Sequence, residues 1–164
     1  MKIGLIGAGR LGLCLALLIE DTGYDVLASD IRPDYVKDLN EKKYNGSEPD
    51  VKYYLEKANN IEFTTDNIRV INECDIIFTL VATPSLDDGS YDVSAVWKVV
   101  EDFKTAAKEK EVFNKSLVVG CTTNPGDCDE IQDYLSVDPD TFGVNVFYNP
   151  EFIAQGTIIK DLQN

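Results

Sequence analysis

Lys2-Ile3-Gly4-Leu5-Ile6-Gly7-Ala8-Gly9-Arg10-Leu11-Gly12 is the stretch whose reading decides the fold. Lys2 to Ile6 reads as a short apolar strand, and Leu13 to Ile19 as an apolar helix. Between them stands G-x-G-x-x-G, placed where a strand turns into a helix. In that setting each glycine has a physical task. Gly7 permits the tight turn, Gly9 lets backbone approach a pyrophosphate, and Gly12 lets the helix pack close on the strand. The helix N-terminus, through Arg10 and Leu11, offers unpaired amides and the positive end of a dipole to phosphate oxygens.

The second strand supplies the complementary group. Tyr24 to Asp30 is strand-like, and Asp30 falls roughly 20 residues beyond the glycines, where a carboxylate accepts hydrogen bonds from the adenosine ribose hydroxyls. A carboxylate there repels a 2′-phosphate, so the cofactor expected is NAD rather than NADP. Arg32 lies close by, and its guanidinium could accommodate the extra phosphate or stack on the adenine.

The rest of the chain alternates strand and helix. Short helices are expected over Tyr35–Leu39 and over Asp50–Ala58, the second opened by Glu48-Pro49. Ile61–Phe63 is a brief strand, and Thr65-Asp66 reads as a helix cap. Asp75–Val81 is apolar almost throughout, as a central parallel strand should be. After a polar loop, Thr83–Tyr91, Asp92 is placed to cap a long amphipathic helix with Val96, Val99, Val100 and Phe103 on one face. Ser116–Gly120 is the fifth strand, Asn124-Pro125 the expected cap and first residue of the next helix, and Phe142–Tyr148 the sixth strand. The expected fold is therefore α/β: a doubly wound Rossmann-type parallel sheet of about six strands with helices on both faces. Residues 1–164 read as one such NAD-binding domain.

Composition narrows the function. A formal net charge of −14 argues against a nucleic-acid partner. It also requires an anionic cofactor to be held by local amides against a repulsive field. There is no histidine, and Cys14, Cys74, Cys121 and Cys128 show no CxxC spacing, so no metal site is expected. The thiols read as reduced cytoplasmic cysteines, mostly buried. No apolar run reaches the length of a membrane span, and Met1-Lys2 leads straight into the first strand, so neither a membrane anchor nor a secretory leader is expected.

In open sheets of this kind ligands sit outside the carboxyl ends of the strands. Three segments there carry a resemblance: Val81-Ala82-Thr83-Pro84-Ser85 with Asp88-Gly89-Ser90, then Gly120-Cys121-Thr122-Thr123-Asn124-Pro125-Gly126, and Asn149-Pro150-Glu151-Phe152-Ile153-Ala154-Gln155-Gly156. Together they resemble the NAD-binding N-terminal domain of the UDP-glucose/GDP-mannose dehydrogenase family, closest to its UDP-glucose 6-dehydrogenase branch. Two positions depart from the pattern: Gln155 stands where that branch usually has glutamate, and Ala82 where a proline is usual.

The resemblance implies a two-step, NAD-dependent oxidation of a sugar primary alcohol to the acid. It implies that Thr122 and Glu151 lie near the nicotinamide and the sugar, positioning water and assisting proton movement. Thr83 and Thr122 would contact the cofactor, and Glu151, Phe152, Ile153, Ala154 and Gln155 would line the nucleotide-sugar pocket. A strand-end carboxylate such as Glu151, partly desolvated, suits a general base. The family's nucleophilic cysteine, its oxyanion-stabilising lysine and asparagine, and its cations for the sugar diphosphate come from a central helix and a C-terminal domain beyond the matching region. The chain is accordingly expected to be the cofactor half of such an enzyme, inactive alone, with that C-terminal domain as partner and a homo-oligomer in the full-length form. The alternative is a free-standing NAD sensor or regulatory module without catalysis.

Overall fold

The structure, a computed structural model, describes residues 1–109, 114–141, 143–150, 154 and 156–163. Strand β1 (Lys2–Ile6) lies at the centre of a six-stranded sheet. It is followed by α1 (Arg10–Asp21), β2 (Asp25–Ser29), α2 (Pro33–Asn40), α3 (Val51–Lys57), β3 (Ile61–Thr64), α4 (Asn67–Glu73) and β4 (Ile76–Thr79). The remaining elements are α5 (Ser94–Glu109), β5 (Ser116–Val119), α6 (Asp127–Ser136), β6 (Asn145–Tyr148) and α7 (Ile158–Leu162). The strand order is β3-β2-β1-β4-β5-β6, and every pair is parallel.

Side-chain alternation along the strands decides which helices cover which face. Leu5 points into one buried cluster with Leu13, Leu17, Val26, Leu39, Leu55 and Ile158. Ile6 points into the other, with Leu27, Ile71, Ile77, Val100, Phe103 and Ile131. Helices α1, α2, α3 and α7 thus cover one face, and α4, α5 and α6 the other, as expected for a doubly wound sheet. Gly4 makes this possible at the centre of β1. A Cβ there would meet Val70 Cγ1 at 2.8 Å and Cys74 Cβ at 3.0 Å, so α4 packs where only glycine leaves room.

The strand order reverses direction between β1 and β4, and a crevice opens at that switch point. Its walls are the segments leaving β1, β2 and β4. The amides of Gly7 and Ala8 donate to the carbonyl of Ser29, and the Leu80 amide donates to the Ile6 carbonyl, fixing these exits relative to one another.

Several boundaries differ from the sequence reading, each for a local reason. Helix α1 begins at Arg10, inside the glycine fingerprint, with Gly9 as its N-cap. Helix α6 starts at Asp127 behind Gly126, which adopts φ +94°, so Asn124 and Pro125 do not open it. The Asn124 side chain bridges two segments: its Oδ1 accepts from the Tyr91 amide at 2.8 Å, and its Nδ2 donates to the Tyr91 carbonyl at 3.0 Å and to Asp127 Oδ2 at 3.1 Å. It fastens the loop before α5 to the turn after β5. Asp66 does cap α4, accepting from the Arg69 amide at 3.0 Å. Strand β6 begins at Asn145, and Phe142, the expected start, lies outside the described residues. Helix α7 was not anticipated; its Ile158 and Ile159 are buried against the α1 layer. Among the described residues, no helix is long and apolar enough to cross a membrane.

Candidate functional site

The three fingerprint glycines answer to three different constraints. Gly7 has φ +96°, and a Cβ there would meet the Leu80 carbonyl oxygen at 2.7 Å. At Gly12 a Cβ would lie 2.1 Å from the Gly7 carbonyl oxygen, so α1 crosses the turn at a distance only glycine permits. Gly9 is unlike both: its φ is −66°, open to any residue, and a Cβ would meet nothing within 4 Å. The fold does not require glycine at position 9. A bare backbone facing open crevice is what close approach of a ligand requires.

Gly9 carries no side chain to cap α1, and the helix has no acidic residue in its first turn. Its leading amides and dipole end therefore face the crevice without a competing carboxylate, the arrangement that receives phosphate oxygens.

At the end of β2, Asp30 is 8% exposed and its carboxylate is gripped from the side. Arg32 donates from Nε to Oδ1 at 2.8 Å, from Nη2 to Oδ2 at 2.9 Å, and from its backbone amide to Oδ1 at 3.1 Å. The same guanidinium lies 4.0 Å over the ring of Tyr35, whose hydroxyl donates to the Ala8 carbonyl at 2.8 Å. The hydrogen bonds to Asp30 raise the proton affinity of the Arg32 guanidinium. Burial, followed by the neighbouring Tyr44, pushes the Tyr35 phenol upward, so it remains a donor. Of the two uses that the sequence left open for Arg32, neither is the resting arrangement. It is an orienting clamp on Asp30.

These residues line one cleft of about 590 Å³, within the roughly 300–1,000 Å³ typical of small-molecule sites. Gly7, Gly9, Arg10, Leu11, Gly12, Asp30 and Arg32 all contribute to its walls, so the fold brings the fingerprint and the acid to one cleft. Sequence reasoning missed Asn67 and Lys98 as walls, and in the segment after β4 it chose Thr83 where its neighbours line the cleft. Asn67, at the start of α4, accepts from the buried Ser29 hydroxyl at 2.7 Å and donates to Asp102 at 2.7 Å. Leu80, Val81 and Ala82 form the wall after β4, and Lys98 of α5 projects from the far side. The amphipathic period of α5 marks its buried face but gives no sign that Lys98 borders the cleft.

Thr83 and Thr122 do not line this cleft. Thr83 is half-buried just past Ala82, and Thr122 is exposed on the turn after β5, at the same carboxyl end of the sheet. Gly120 brings that turn against the cleft wall, since a Cβ there would meet Leu80 Cδ2 at 2.8 Å. Ala154 is exposed, and its carbonyl accepts from the Thr157 amide at 3.3 Å. Glu151, Phe152, Ile153 and Gln155 lie outside the described residues. Cys121, beside Thr122, is a poor nucleophile: burial pushes its thiol up to about 11.

A parallel 3-2-1-4-5-6 sheet, with the glycine turn after its first strand and an acid ending its second, defines a Rossmann-type dinucleotide-binding domain. The family model described as "UDP-glucose/GDP-mannose dehydrogenase family, NAD binding domain" matches residues 1–164, and the chain belongs to that family, with NAD as its cofactor. UDP-glucose 6-dehydrogenase AglM of Haloferax volcanii is 30% identical over 167 residues, covering 98% of this chain and 38% of AglM. UDP-glucose 6-dehydrogenase of Rickettsia typhi is 30% identical over 166 residues, covering 98% of this chain and 36% of that enzyme. The crystal structure of a ternary complex of GDP-mannose dehydrogenase from Pseudomonas aeruginosa superposes with a TM-score of 0.87 at 26% identity, covering 99% of this chain and 38% of that one. The chain thus spans a little over a third of the length of these two curated relatives.

Proposed function

We propose that this chain is the cofactor half of a nucleotide-sugar 6-dehydrogenase of the UDP-glucose type, and that a C-terminal domain outside residues 1–164 supplies the nucleophile and the nucleotide-sugar site. The observation that carries the reading is the cleft at the switch point, where Gly9 leaves its backbone bare and Asp30 is held in place at one end. In this reading the leading amides of α1 hold the pyrophosphate, with Arg10 and Leu11 beside it. Asp30 accepts from the ribose hydroxyls while Arg32 keeps its carboxylate oriented. Bound NAD supplies the hydride acceptor.

Toward the reacting alcohol, the family resemblance gives Thr122 the role of orienting water or a substrate oxygen and Glu151 that of moving a proton. Thr83 touches the cofactor from the loop after β4. Phe152, Ile153, Ala154 and Gln155 line the sugar-nucleotide side. The net charge supports a division of labour, because a chain at −14 offers few cations for a second diphosphate. The complete enzyme is read as a cytoplasmic homo-oligomer.

A chimera of residues 1–164 with the C-terminal remainder of the Haloferax enzyme, assayed by NADH absorbance, tests this. The chimera should reduce NAD with UDP-glucose, whereas residues 1–164 alone should not. Thr122→Ala and Glu151→Gln should lower kcat, and Glu151→Gln should leave NAD affinity intact. NADH production by residues 1–164 alone would overturn the division of labour.

A further inference from the structure

We infer that Glu48 is a positioning residue that ties Arg10 of the dinucleotide turn to the turn at Gly156, so that occupancy of the cleft is felt on the nucleotide-sugar side. The inference rests on reading the cleft as the NAD site. Glu48 sits in the connection between α2 and α3, and its side chain is 4% exposed. The Gly156 amide donates into the middle of its carboxylate, 2.9 Å from each oxygen, across 108 residues of sequence. On its other side, Arg10 Nη1 lies 3.7 Å from Oε1.

A buried carboxylate is costly without partners, and the described partners of this one come from the first residue of α1 and from the turn at Gly156. Arg10 lines the cleft with its side chain half exposed, so an anion bound there acts directly on it. Gly156 has φ +94° and leads into α7, whose buried Ile158 and Ile159 pack on the α1 layer. Both ends of the tie are therefore anchored to the helix that begins the cofactor site. A change in the charge facing Arg10 changes how strongly Glu48 holds the Gly156 amide, and the effect is reciprocal.

The test is amide exchange and the resonance position of Gly156, measured by NMR on the full chain, with Glu48→Gln, Glu48→Ala, Arg10→Gln and the Glu48→Gln/Arg10→Gln double variant. Glu48→Ala should abolish protection of the Gly156 amide. Arg10→Gln, at a half-exposed position, should accelerate exchange by roughly two- to fivefold, the scale of an ion pair with one half-exposed partner. The double variant should exchange no faster than Glu48→Gln alone, the non-additivity of residues acting through one contact. NAD should shift the Gly156 resonance in the parent chain and not in Glu48→Gln. A merely structural clamp predicts otherwise: indifference to residue 10, additive effects, or an undiminished NAD response in Glu48→Gln, and any of these overturns the inference. Calorimetry on the same samples keeps the two readings apart. Failure to bind NAD counts against the cofactor site, while the Arg10 dependence of Gly156 exchange still decides the tie.

Discussion

The guanidinium of Arg32 closes on both carboxylate oxygens of Asp30, at 2.8 and 2.9 Å, while resting on the face of Tyr35. A planar fork held this way fixes the carboxylate's orientation before any ligand arrives, which lowers the ordering cost of binding. It also means that Asp30 governs Arg32 as much as the reverse. Asp30→Ala should weaken NAD binding by roughly tenfold or more, the scale of losing hydrogen bonds to a charged acceptor. It should also improve NADP relative to NAD, because the freed guanidinium becomes a phosphate partner. Calorimetric titration with both cofactors checks this, and an unchanged NAD/NADP ratio would contradict it.

Gly9 and Gly12 should fail in different ways. Gly12→Ala places a methyl 2.1 Å from the Gly7 carbonyl oxygen, so helix and strand must separate, and the fold should lose several kcal/mol. Gly9→Ala meets nothing and keeps an accessible φ, so its melting temperature should stay near the parent's while NAD affinity collapses. Thermal denaturation paired with calorimetry separates the two. Equal loss of stability in both would sink the distinction.

The thiols should make the fold sensitive to alkali. Burial pushes Cys14 up from 9.0 to about 12 and Cys74 and Cys121 to about 11. Above pH 9 the unfolded chain releases protons that the folded chain keeps. The stability tied to protonated thiols is thus complete below pH 9 and is lost as pH rises toward 11 to 12. Denaturant midpoints should fall across that interval. The same burial should make native thiols slow toward iodoacetamide at pH 7.5 and fast once the chain is unfolded.

Asp50 precedes α3 in the left-handed region, with φ 65° and no side-chain capping bond. An L-residue there carries a steric cost of roughly 1–2 kcal/mol that glycine avoids, partly offset by the greater freedom of glycine in the unfolded chain. Asp50→Gly should therefore stabilise the fold by about 0.5–1 kcal/mol. A lower urea midpoint in the variant would show that Asp50 makes a compensating contact.

By itself the sequence determined the class of fold and the kind of ligand, because both follow from short-range chemistry. A strand running into G-x-G-x-x-G, a helix behind it and an acid ending the next strand are constraints within the first few tens of residues. The apolar face of α5 and the cap at Asp66 are likewise written in local spacing. What only the tertiary structure decided depends on residues far apart in the chain. Asn124 holds Tyr91 as well as Asp127 of α6, because the loop before α5 comes to lie against it. Asn67 and Lys98 become cleft walls only once α4 and α5 fold over their face of the sheet. Glu48 reads as an ordinary helix-opening acid until folding buries it between Arg10 and Gly156. Periodicity and caps encode which elements form; which side chain meets which across the sheet is set by packing, and no local pattern records it.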